Sequence, residues 1–131
     1  MNNKNSNFLS KLTLIMPTYN RQSYVLRNIN YWNKTGIKLI ILDASQNPIN
    51  KKLLESFEID ITYIHKSNSS FDDRILESFV HIKTKYAQLI GDEDFYISSA
   101  ITSCINELEK DEKLIGCIGC CLKFFNYKKY N

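Results

Sequence analysis

Short runs of apolar residues recur along the chain, and polar residues follow most of them directly. Three of these runs are alike: KLTLIMP at 11–17, IKLIILDAS at 37–45 and YAQLIGDED at 86–94. A run at 59–65 alternates more, and a β-rich run occupies 113–125. Continuous apolar runs of this length are typical of strands buried on both faces in a parallel sheet under helices. We therefore predict a strand in each run.

Between these runs, apolar residues recur at the three- and four-residue spacing of amphipathic helices. This spacing predicts helices at 21–33, 50–58, 71–84 and 98–110. The apolar positions expected to face the core are, in chain order, Tyr24, Val25, Ile29 and Trp32; Leu53, Leu54 and Phe57; Ile75, Leu76, Phe79, Val80 and Ile82; and Ile101, Ile105 and Leu108.

The alternation of strands and helices predicts an α/β fold, a three-layer sandwich with a mostly parallel sheet. In such sheets, ligands bind beyond the carboxyl ends of the strands. Three predicted strand ends carry polar residues: PTYNR at 17–21, DAS at 43–45 and GDED at 91–94. If the strands are parallel, these three segments converge on one edge of the sheet, which we call the rim.

Composition and charge exclude several classes of function. The 131 residues suffice for one domain with a core, and the content of 44% hydrophobic and 24% charged residues is ordinary for a globular protein. The net charge of +3 is spread along the chain, so a nucleic acid is not an expected partner. There is no apolar run of membrane-spanning length and no secretory signal, which predicts a cytoplasmic location. We expect a disordered N-terminus at 1–9, followed by one domain at 10–131.

The four cysteines, Cys104, Cys117, Cys120 and Cys121, include one CxxC pair. A zinc site needs four ligands, and neither a second CxxC nor a histidine pair accompanies this one. We therefore expect these residues to act as small apolar side chains on a buried strand.

The acidic run GDED brings three carboxylates together, those of Asp92, Glu93 and Asp94. Neighbouring carboxylates repel each other unless a positive charge lies between them. Oxygen ligands at a strand end suit Mg²⁺ or Mn²⁺, which share their coordination with phosphate oxygens, and Gly91 permits a sharp turn and a close approach. The alternative is that the acids begin the helix at 98–110, since helix N-termini favour negative charge.

Asp43 follows the second apolar run directly. Its carboxylate can accept hydrogen bonds from a nucleotide base or from a ribose hydroxyl. The alternative is an Asx-type turn before Pro48, supported by Ser45 and Asn47.

The segment PTYNR offers a hydroxyl, an amide and a guanidinium after the first strand. Pro17 is expected to fix a turn, and Arg21 can reach a diphosphate. The alternative is ordinary capping of the first helix. The segment lacks the glycines of a phosphate loop, and no GxGxxG of a dinucleotide fold occurs in the chain.

At the start of the third helix, Ser70 is the expected N-cap, with Asp73 three residues on as its capping partner. Asp72, Asp73 and Arg74 are expected mainly to cap and solvate this helix. The alternative is that one of them faces the rim.

Together, LTLIMPTYNR, LIILDAS and KTKYAQLIGDEDF resemble, in order and spacing, the start of a family 2 glycosyltransferase, an inverting enzyme with the GT-A fold. GDEDF resembles the DxD metal motif of that family, and the resemblance covers about residues 10–120.

The resemblance implies a donor site for a nucleotide-sugar, of the UDP-linked type, with Mn²⁺ or Mg²⁺ as cofactor. Asp92, Glu93 and Asp94 would supply the metal ligands and contact the donor ribose, and which two of the three touch the metal stays open. The substrate-binding residues that it implies are Thr18, Tyr19, Asn20 and Arg21 around the nucleoside, Asp43 on the base, Ser45, Asp92, and Arg74 on the diphosphate.

The chain departs from the family in two respects. LDAS stands where members often carry paired acids and a glycine, and the acceptor-binding half with the catalytic base has no counterpart here. The resemblance therefore implies a donor-binding portion truncated before that half, from an enzyme whose acceptor is a glycan, lipid or protein. It also allows peripheral membrane association of the full-length protein, and the apolar end CIGCCLKFFNYKKY at 117–130 predicts self-association.

Two other classes remain open. One is a non-catalytic receiver-like or flavodoxin-like module that uses the acidic rim for Mg²⁺ and for protein contacts. Receiver domains carry an acidic pair after the first strand, which MPTYN lacks. The other is a nucleotidyltransferase, which usually shows a glycine- and arginine-rich loop where this chain has PTYNR.

Overall fold

A computed structural model describes residues 8–120 of the chain. Its helices and strands are, in order, β1 (Leu12–Thr18), α1 (Gln22–Trp32), β2 (Lys38–Asp43), α2 (Lys51–Leu54), β3 (Asp60–His65), α3 (Phe71–Ser78), β4 (Tyr86–Leu89) and α4 (Ser98–Lys110). A single 3₁₀ turn, Phe79–His81, follows α3.

The four strands form one sheet in the order β3-β2-β1-β4, and all neighbouring pairs are parallel. Thr18 of β1 pairs with Asp43 of β2, which pairs with His65 of β3, so these three strands end level with one another. The last residue of β4, Leu89, pairs with Ile15, and the backbone N–H of Ile90 donates to the carbonyl of Ile15 at 2.9 Å. The predicted α/β fold with a parallel sheet is confirmed.

Both faces of the central strands are buried, which explains their uninterrupted apolar sequences. Alternate residues of β1 and β2 point to opposite faces of the sheet. The larger core lies on the face covered by α1 and α4 and contains Leu12, Leu14, Met16, Leu39, Ile41, Val25, Ile29, Trp32 and Ile105. The smaller core lies on the face covered by α3 and contains Ile15, Ile40 and Leu42, with Ile75 and Ile82 packed against it.

The two long helices agree with their sequence periodicity. Val25, Ile29 and Trp32 of α1 are buried, while Tyr24 lies exposed on the flank of this stripe. In α4, the predicted and observed bounds coincide and Ile105 is its buried residue. Among residues 8–120, no helix is both long enough and apolar enough to cross a lipid bilayer.

The second predicted helix is shorter than expected. It ends at Leu54, and Leu53 is exposed while Leu54 is buried. Phe57 lies beyond the helix but still packs against the larger core. The apolar residues thus reach the core from one helical turn and the chain that follows it.

For α3, the predicted apolar stripe is largely wrong. Leu76, Phe79 and Val80 are exposed, and the buried positions of the helix are Arg74 and Ser78. The reason is that the Arg74 guanidinium binds backbone carbonyls inside the fold, as described below, and this contact sets which face of the helix turns inward. The predicted cap is confirmed, because the Ser70 hydroxyl accepts from the backbone N–H of Asp73 at 3.1 Å.

The predicted strand at 113–125 is absent from its described part, residues 113–120. Ile115 and Ile118 are fully exposed. Cys117 and Cys120 are exposed and Cys104, on α4, is half-buried, which corrects the expectation of cysteines on a buried strand. A strand needs a neighbour to pair its backbone groups, and no described strand runs beside this segment. Residues 121–125, with Cys121, lie outside the described residues.

At the other end of the chain, the expectation that residues 1–9 stand apart from the domain does not hold for the last two of them. Leu9 is buried in the larger core and Phe8 packs against it. The domain therefore begins at or before Phe8, and residues 1–7 lie outside the described part.

Candidate functional site

The rim has a point at which the direction of chain winding reverses. From β1, the chain adds β2 and then β3 on one side and crosses back to place β4 on the other side of β1. In open α/β sheets, the crevice at such a switch point, outside the carboxyl ends of the strands, is the usual ligand site. Here that point lies between the ends of β1 and β4.

At this point, the polar residues after β1 contact the acids after β4. The Thr18 hydroxyl donates to Asp92 Oδ2 at 2.7 Å, and Arg21 Nη1 donates to Asp92 Oδ1 at 3.0 Å. Arg21 Nη2 donates to Glu93 Oε2 at 2.5 Å, so one guanidinium bridges two carboxylates. The predicted convergence of 17–21 and 91–94 is confirmed. We call Thr18, Arg21, Asp92, Glu93 and Asp94 the open cluster.

Negative charge exceeds positive charge in the open cluster. Arg21 balances one of its three carboxylates. The hydrogen bond to Glu93, followed by the charge of Asp92, raises the pKa of Arg21 above its ordinary value. Asp92 is buried, whereas Glu93 and Asp94 are exposed. The surplus charge therefore faces solvent, where a cation can reach it.

Asn28 holds the acidic turn, residues 91–94, against α1. Its Nδ2 donates to the carbonyl of Asp94 at 2.7 Å and to that of Asp92 at 3.4 Å. Asn28 is fully buried, and its Oδ1 has no hydrogen-bond partner among the described residues. Sequence reasoning missed this residue, although one signal was present: an amide within the buried stripe of an amphipathic helix.

Gly91 leaves space for the carboxylate of Asp94. A Cβ at this position would lie 2.6 Å from Asp94 Oδ2, and the backbone N–H of Asp94 donates to the Gly91 carbonyl at 3.1 Å. The alternative role for these acids, at the start of α4, is wrong. That helix begins at Ser98 with Ile97 as N-cap, and its first turn contains no acid.

The segment 17–21 differs in detail from its prediction. Pro17 lies inside β1, paired with Leu42, and the turn falls at Asn20, whose φ is 55°. The backbone N–H of Asn20 donates to Ser45 Oγ at 2.8 Å, while the side chain of Tyr19 is exposed. Arg21 occupies the N-cap position of α1 without a side-chain capping bond, so the capping alternative is wrong.

Asp43 is fully buried and both of its carboxylate oxygens have partners. Oδ1 accepts from the backbone N–H of Ser45 at 2.8 Å, which is the Asx-type turn, and Oδ2 accepts from the Tyr63 hydroxyl at 2.6 Å. That hydroxyl also accepts from the backbone N–H of Ile49 at 2.8 Å. Burial raises the pKa of Tyr63, and the bond to Asp43 raises it further. The phenol therefore stays a donor at neutral pH.

Arg74 is directed at the protein backbone. Its Nη1 donates to the carbonyls of Leu42 at 2.7 Å and Thr18 at 3.1 Å, and its Nε donates to the carbonyl of Ser70 at 3.2 Å. Burial lowers the pKa of Arg74, and the charge of Asp43 opposes that shift. Arg74 thus joins the ends of β1 and β2 to the start of α3, and only 7% of it is exposed.

A second group of polar side chains on the rim is therefore largely paired within the protein. His65 adds to it, because its Nε2 donates to the carbonyl of Ser45 at 2.8 Å. We call Asp43, Ser45, Tyr63, His65 and Arg74 the closed cluster. The two clusters touch where the Asn20 turn binds Ser45 and where Arg74 binds the carbonyl of Thr18.

The fit of the open cluster to a divalent cation rests on two carboxylates. Among residues 8–120, no group of three His, Cys, Asp or Glu side chains is gathered to hold a metal ion. Asp92 and Glu93 nevertheless converge on one positive group, Arg21. Mg²⁺ at phosphate sites often takes one or two protein carboxylates and completes its shell with phosphate and water. The open cluster fits a cation of that kind.

An open depression lies beside the rim and is lined by Asn20, Gln22 and Asn47. The Gln22 amide donates to the carbonyl of Asn47 at 2.7 Å, which joins α1 to the loop after β2. The lining offers both donors and acceptors to a polar ligand. It borders the open cluster through the Asn20–Arg21 backbone.

Comparison with known proteins adds no assignment. No protein-family model matches the chain, and no curated protein matches it.

Proposed function

We propose that this chain is the donor-binding portion of an inverting glycosyltransferase of the GT-A type, and that it binds a UDP-linked sugar through the open cluster. The observation that carries the proposal is the position of that cluster. Two carboxylates and an arginine meet at the switch point of a parallel sheet, between β1 and β4. This is where α/β sheets bind ligands, and the residue types suit a diphosphate with its cation.

The proposal assigns roles from the placement of each group. Asp92 and Glu93 hold a divalent cation, with Asp94 beside them, and Arg21 contacts the diphosphate. The depression lined by Asn20, Gln22 and Asn47 takes the base, and the exposed side chain of Tyr19 precedes Asn20 in the chain. Thr18 fixes Asp92 through its hydroxyl.

The closed cluster fixes the backbone that carries this site. Asp43 holds the backbone of Ser45, and Ser45 holds the backbone of Asn20, so the carboxylate shapes the turn that presents Arg21. Arg74 fixes the carbonyl of Thr18. Direct contact of Asp43 and Arg74 with the donor, as the resemblance implies, stays a prediction. For such contact, Asp43 and Arg74 would have to give up hydrogen bonds within the fold and form them with the ligand.

The chemistry expected is a direct displacement at the anomeric carbon. An acceptor hydroxyl of a glycan, lipid or protein would form the new C–O bond as the bond from the anomeric carbon to the diphosphate oxygen breaks. Its proton would pass to a general base, a role assigned to none of residues 8–120, and the nucleoside diphosphate would leave. A divalent cation held by Asp92 and Glu93 would supply Lewis-acid stabilisation of the charge on the leaving diphosphate. Asp92 and Glu93 would position this cation beside the diphosphate. Arg21 adds two N–H donors in a plane suited to phosphate oxygens.

The strand order favours this proposal over a receiver-like or flavodoxin-like module. Those folds have the order 2-1-3-4-5, with the third strand beside the first. In this chain, β3 lies at the sheet edge beyond β2, and β4 takes the place beside β1. The acids after β4 reach the end of β1 only because of this order.

Calorimetric titration of the chain with UDP, with and without Mn²⁺, tests the proposal. We expect binding that requires Mn²⁺ and that is lost in Asp92→Asn. The matched control is Asp72→Asn, which removes an exposed acid of the first turn of α3, outside the open cluster. Binding of UDP that is equal in both variants, or that ignores Mn²⁺, would contradict the proposal.

The choice of nucleotide sharpens the same experiment. UMP lacks the second phosphate, so it should bind much more weakly than UDP if the cation bridges a diphosphate. CDP and ADP keep the diphosphate and change the base. Equal affinity for UDP, CDP and ADP would place recognition on the diphosphate alone and remove the assignment of uracil.

A further inference from the structure

Arg21 takes the position at which the open cluster would hold a cation. Its two terminal nitrogens contact Asp92 Oδ1 at 3.0 Å and Glu93 Oε2 at 2.5 Å. The other oxygen of Asp92 is taken by the Thr18 hydroxyl at 2.7 Å. A divalent cation placed between Asp92 Oδ1 and Glu93 Oε2 would therefore take the position that the guanidinium occupies.

The guanidinium also has a second contact, away from the acids. It lies over the ring of Tyr24, with 4.9 Å from its central carbon to the ring centroid. The side chain is 43% exposed, whereas the side chain of Asp92 is 6% exposed. Because Arg21 is partly exposed and Asp92 is buried, the guanidinium is the group of this pair with room to move, and the Tyr24 ring gives it a contact apart from the carboxylates.

We propose that Arg21 is an exchangeable internal counter-ion. It neutralises Asp92 and Glu93 when no cation is bound, a divalent cation displaces it, and the released guanidinium then binds the diphosphate of the ligand. This inference rests on the proposed function for its ligand, while its first step concerns the cation alone. Binding of the cation and of the diphosphate is then cooperative. The cation releases Arg21 to bind the diphosphate, and a diphosphate bound to Arg21 keeps this side chain from competing with the cation.

Binding of Mn²⁺ without any nucleotide isolates the exchange step. The free ion is counted by its electron paramagnetic resonance signal in titrations of the wild-type chain, Arg21→Gln and Arg27→Gln. Arg27 is the matched control, because it stacks on the same Tyr24 ring and reaches the acidic turn only through the backbone carbonyl of Glu93. Both variants lose one positive charge, but only one loses the contact with the carboxylates.

We expect Arg21→Gln to bind Mn²⁺ about tenfold more tightly than the wild-type chain, from the repulsion between a divalent ion and a guanidinium a few ångströms away. Arg27→Gln should change the affinity by about twofold or less, since its charge lies farther from the carboxylates. Arg21→Lys, which keeps the charge and loses the bridging geometry, should fall between the wild-type chain and Arg21→Gln. This variant carries the test if Arg21→Gln does not fold.

Equal Mn²⁺ affinity in Arg21→Gln and Arg27→Gln would overturn the exchange, and so would the absence of Mn²⁺ binding in folded Arg21→Gln. A second titration, with UDP at saturating Mn²⁺, tests the role of the released side chain. There, Arg21→Gln should lose affinity for UDP while Arg27→Gln retains it. If Mn²⁺ behaves as expected and UDP binds none of the variants, the exchange stands and the proposed function fails.

Discussion

The two polar clusters on the rim lie side by side and are built from similar residues, yet they differ in how their charges are paired. In the closed cluster, Asp43 is fully buried and each of its oxygens accepts a hydrogen bond from the protein. In the open cluster, three carboxylates outnumber the one arginine that binds them by its side chain, Arg21, and Glu93 and Asp94 face solvent.

The difference separates residues that maintain the site from residues that can bind a ligand. A buried polar group with every partner inside the protein contributes mainly to stability, and removing one partner lowers the free energy of unfolding. A group of like charges that remains only partly neutralised has affinity left for an external cation. Mutations in the closed cluster should therefore change stability first, and mutations around the open cluster should change binding first.

The largest effect is expected for Asp43→Ala. The change leaves the backbone N–H of Ser45 and the hydroxyl of Tyr63 without their acceptor, at about 1–3 kcal/mol for each buried donor. We expect the free energy of unfolding to fall by roughly 3 kcal/mol in urea denaturation, a large share of the usual 5–15 kcal/mol. Tyr63→Phe leaves Asp43 Oδ2 and the backbone N–H of Ile49 without their partner, so it should also lower the free energy of unfolding, by about 1–3 kcal/mol.

One result for Asp43 would contradict the assignment of the closed cluster to stability. If a Asp43→Asn variant keeps wild-type stability but loses UDP binding, then Asp43 contacts the donor directly, as the sequence resemblance implies. In that case the closed cluster opens on ligand binding, and the partners of Asp43 are exchanged for the nucleotide.

The next effect is expected for Asn28→Leu, which concerns the open cluster. Leucine has a similar volume and removes the unpaired Oδ1, but it also removes the donor that holds the carbonyls of Asp92 and Asp94. We expect the free energy of unfolding to change by about 1 kcal/mol or less. The affinity for Mn²⁺ with UDP should fall about tenfold, as for residues that position a metal ligand.

The control for this variant is Asn30→Leu, on the exposed face of the same helix. It should leave both stability and binding nearly unchanged. A large loss of stability in Asn28→Leu without a change in affinity would make Asn28 a core residue that has no part in the site.

The smallest effect is expected at the other ends of the strands, where two lysines bind one carboxylate. Glu109 accepts from Lys11 at 2.8 Å, from Lys85 at 2.8 Å and from the Tyr86 hydroxyl at 2.6 Å. These bonds, led by that of Lys11, lower the pKa of Glu109 to about 2. The group joins the end of α4 to the starts of β1 and β4.

Because the pKa of Glu109 is lower in the folded state, its stabilising contribution is present above the unfolded pKa of about 4.3 and is lost as the pH falls toward 2. Urea denaturation as a function of pH should therefore show a smaller loss of stability over this window in Glu109→Gln than in the wild-type chain. UDP binding at neutral pH should be the same in both. Parallel stability profiles would mean that the three bonds do not persist in solution.

Much of this architecture could be predicted from periodicity alone. Strands buried on both faces have uninterrupted apolar sequences, and the helices α1 and α4 have regular stripes, so their positions follow from local pattern. The convergence of 17–21 with 91–94 then follows from parallel strands, without knowledge of any side-chain contact. The open cluster could be predicted from the sequence for this reason.

Other features depend on contacts between residues far apart in the chain, which local pattern does not encode. Arg74 turns inward because three backbone carbonyls accept from it, and Leu76 and Phe79, expected to be buried, face solvent instead. Asp43 is closed off by Tyr63, a residue on the neighbouring strand whose hydroxyl has no signature in the sequence. The exposed segment 113–120 had strand-like composition, but a strand also requires a partner.

The most direct test of the central claim is a map of amide chemical shifts during titration with UDP and Mg²⁺. If the open cluster is the binding site, the largest changes should fall on the amides of 18–22 and 91–94, with Asn47 beside them. The amides of β3 that flank Tyr63 should change little, because the closed cluster keeps its internal partners. Changes centred on 60–65, or spread evenly around the sheet, would contradict the account.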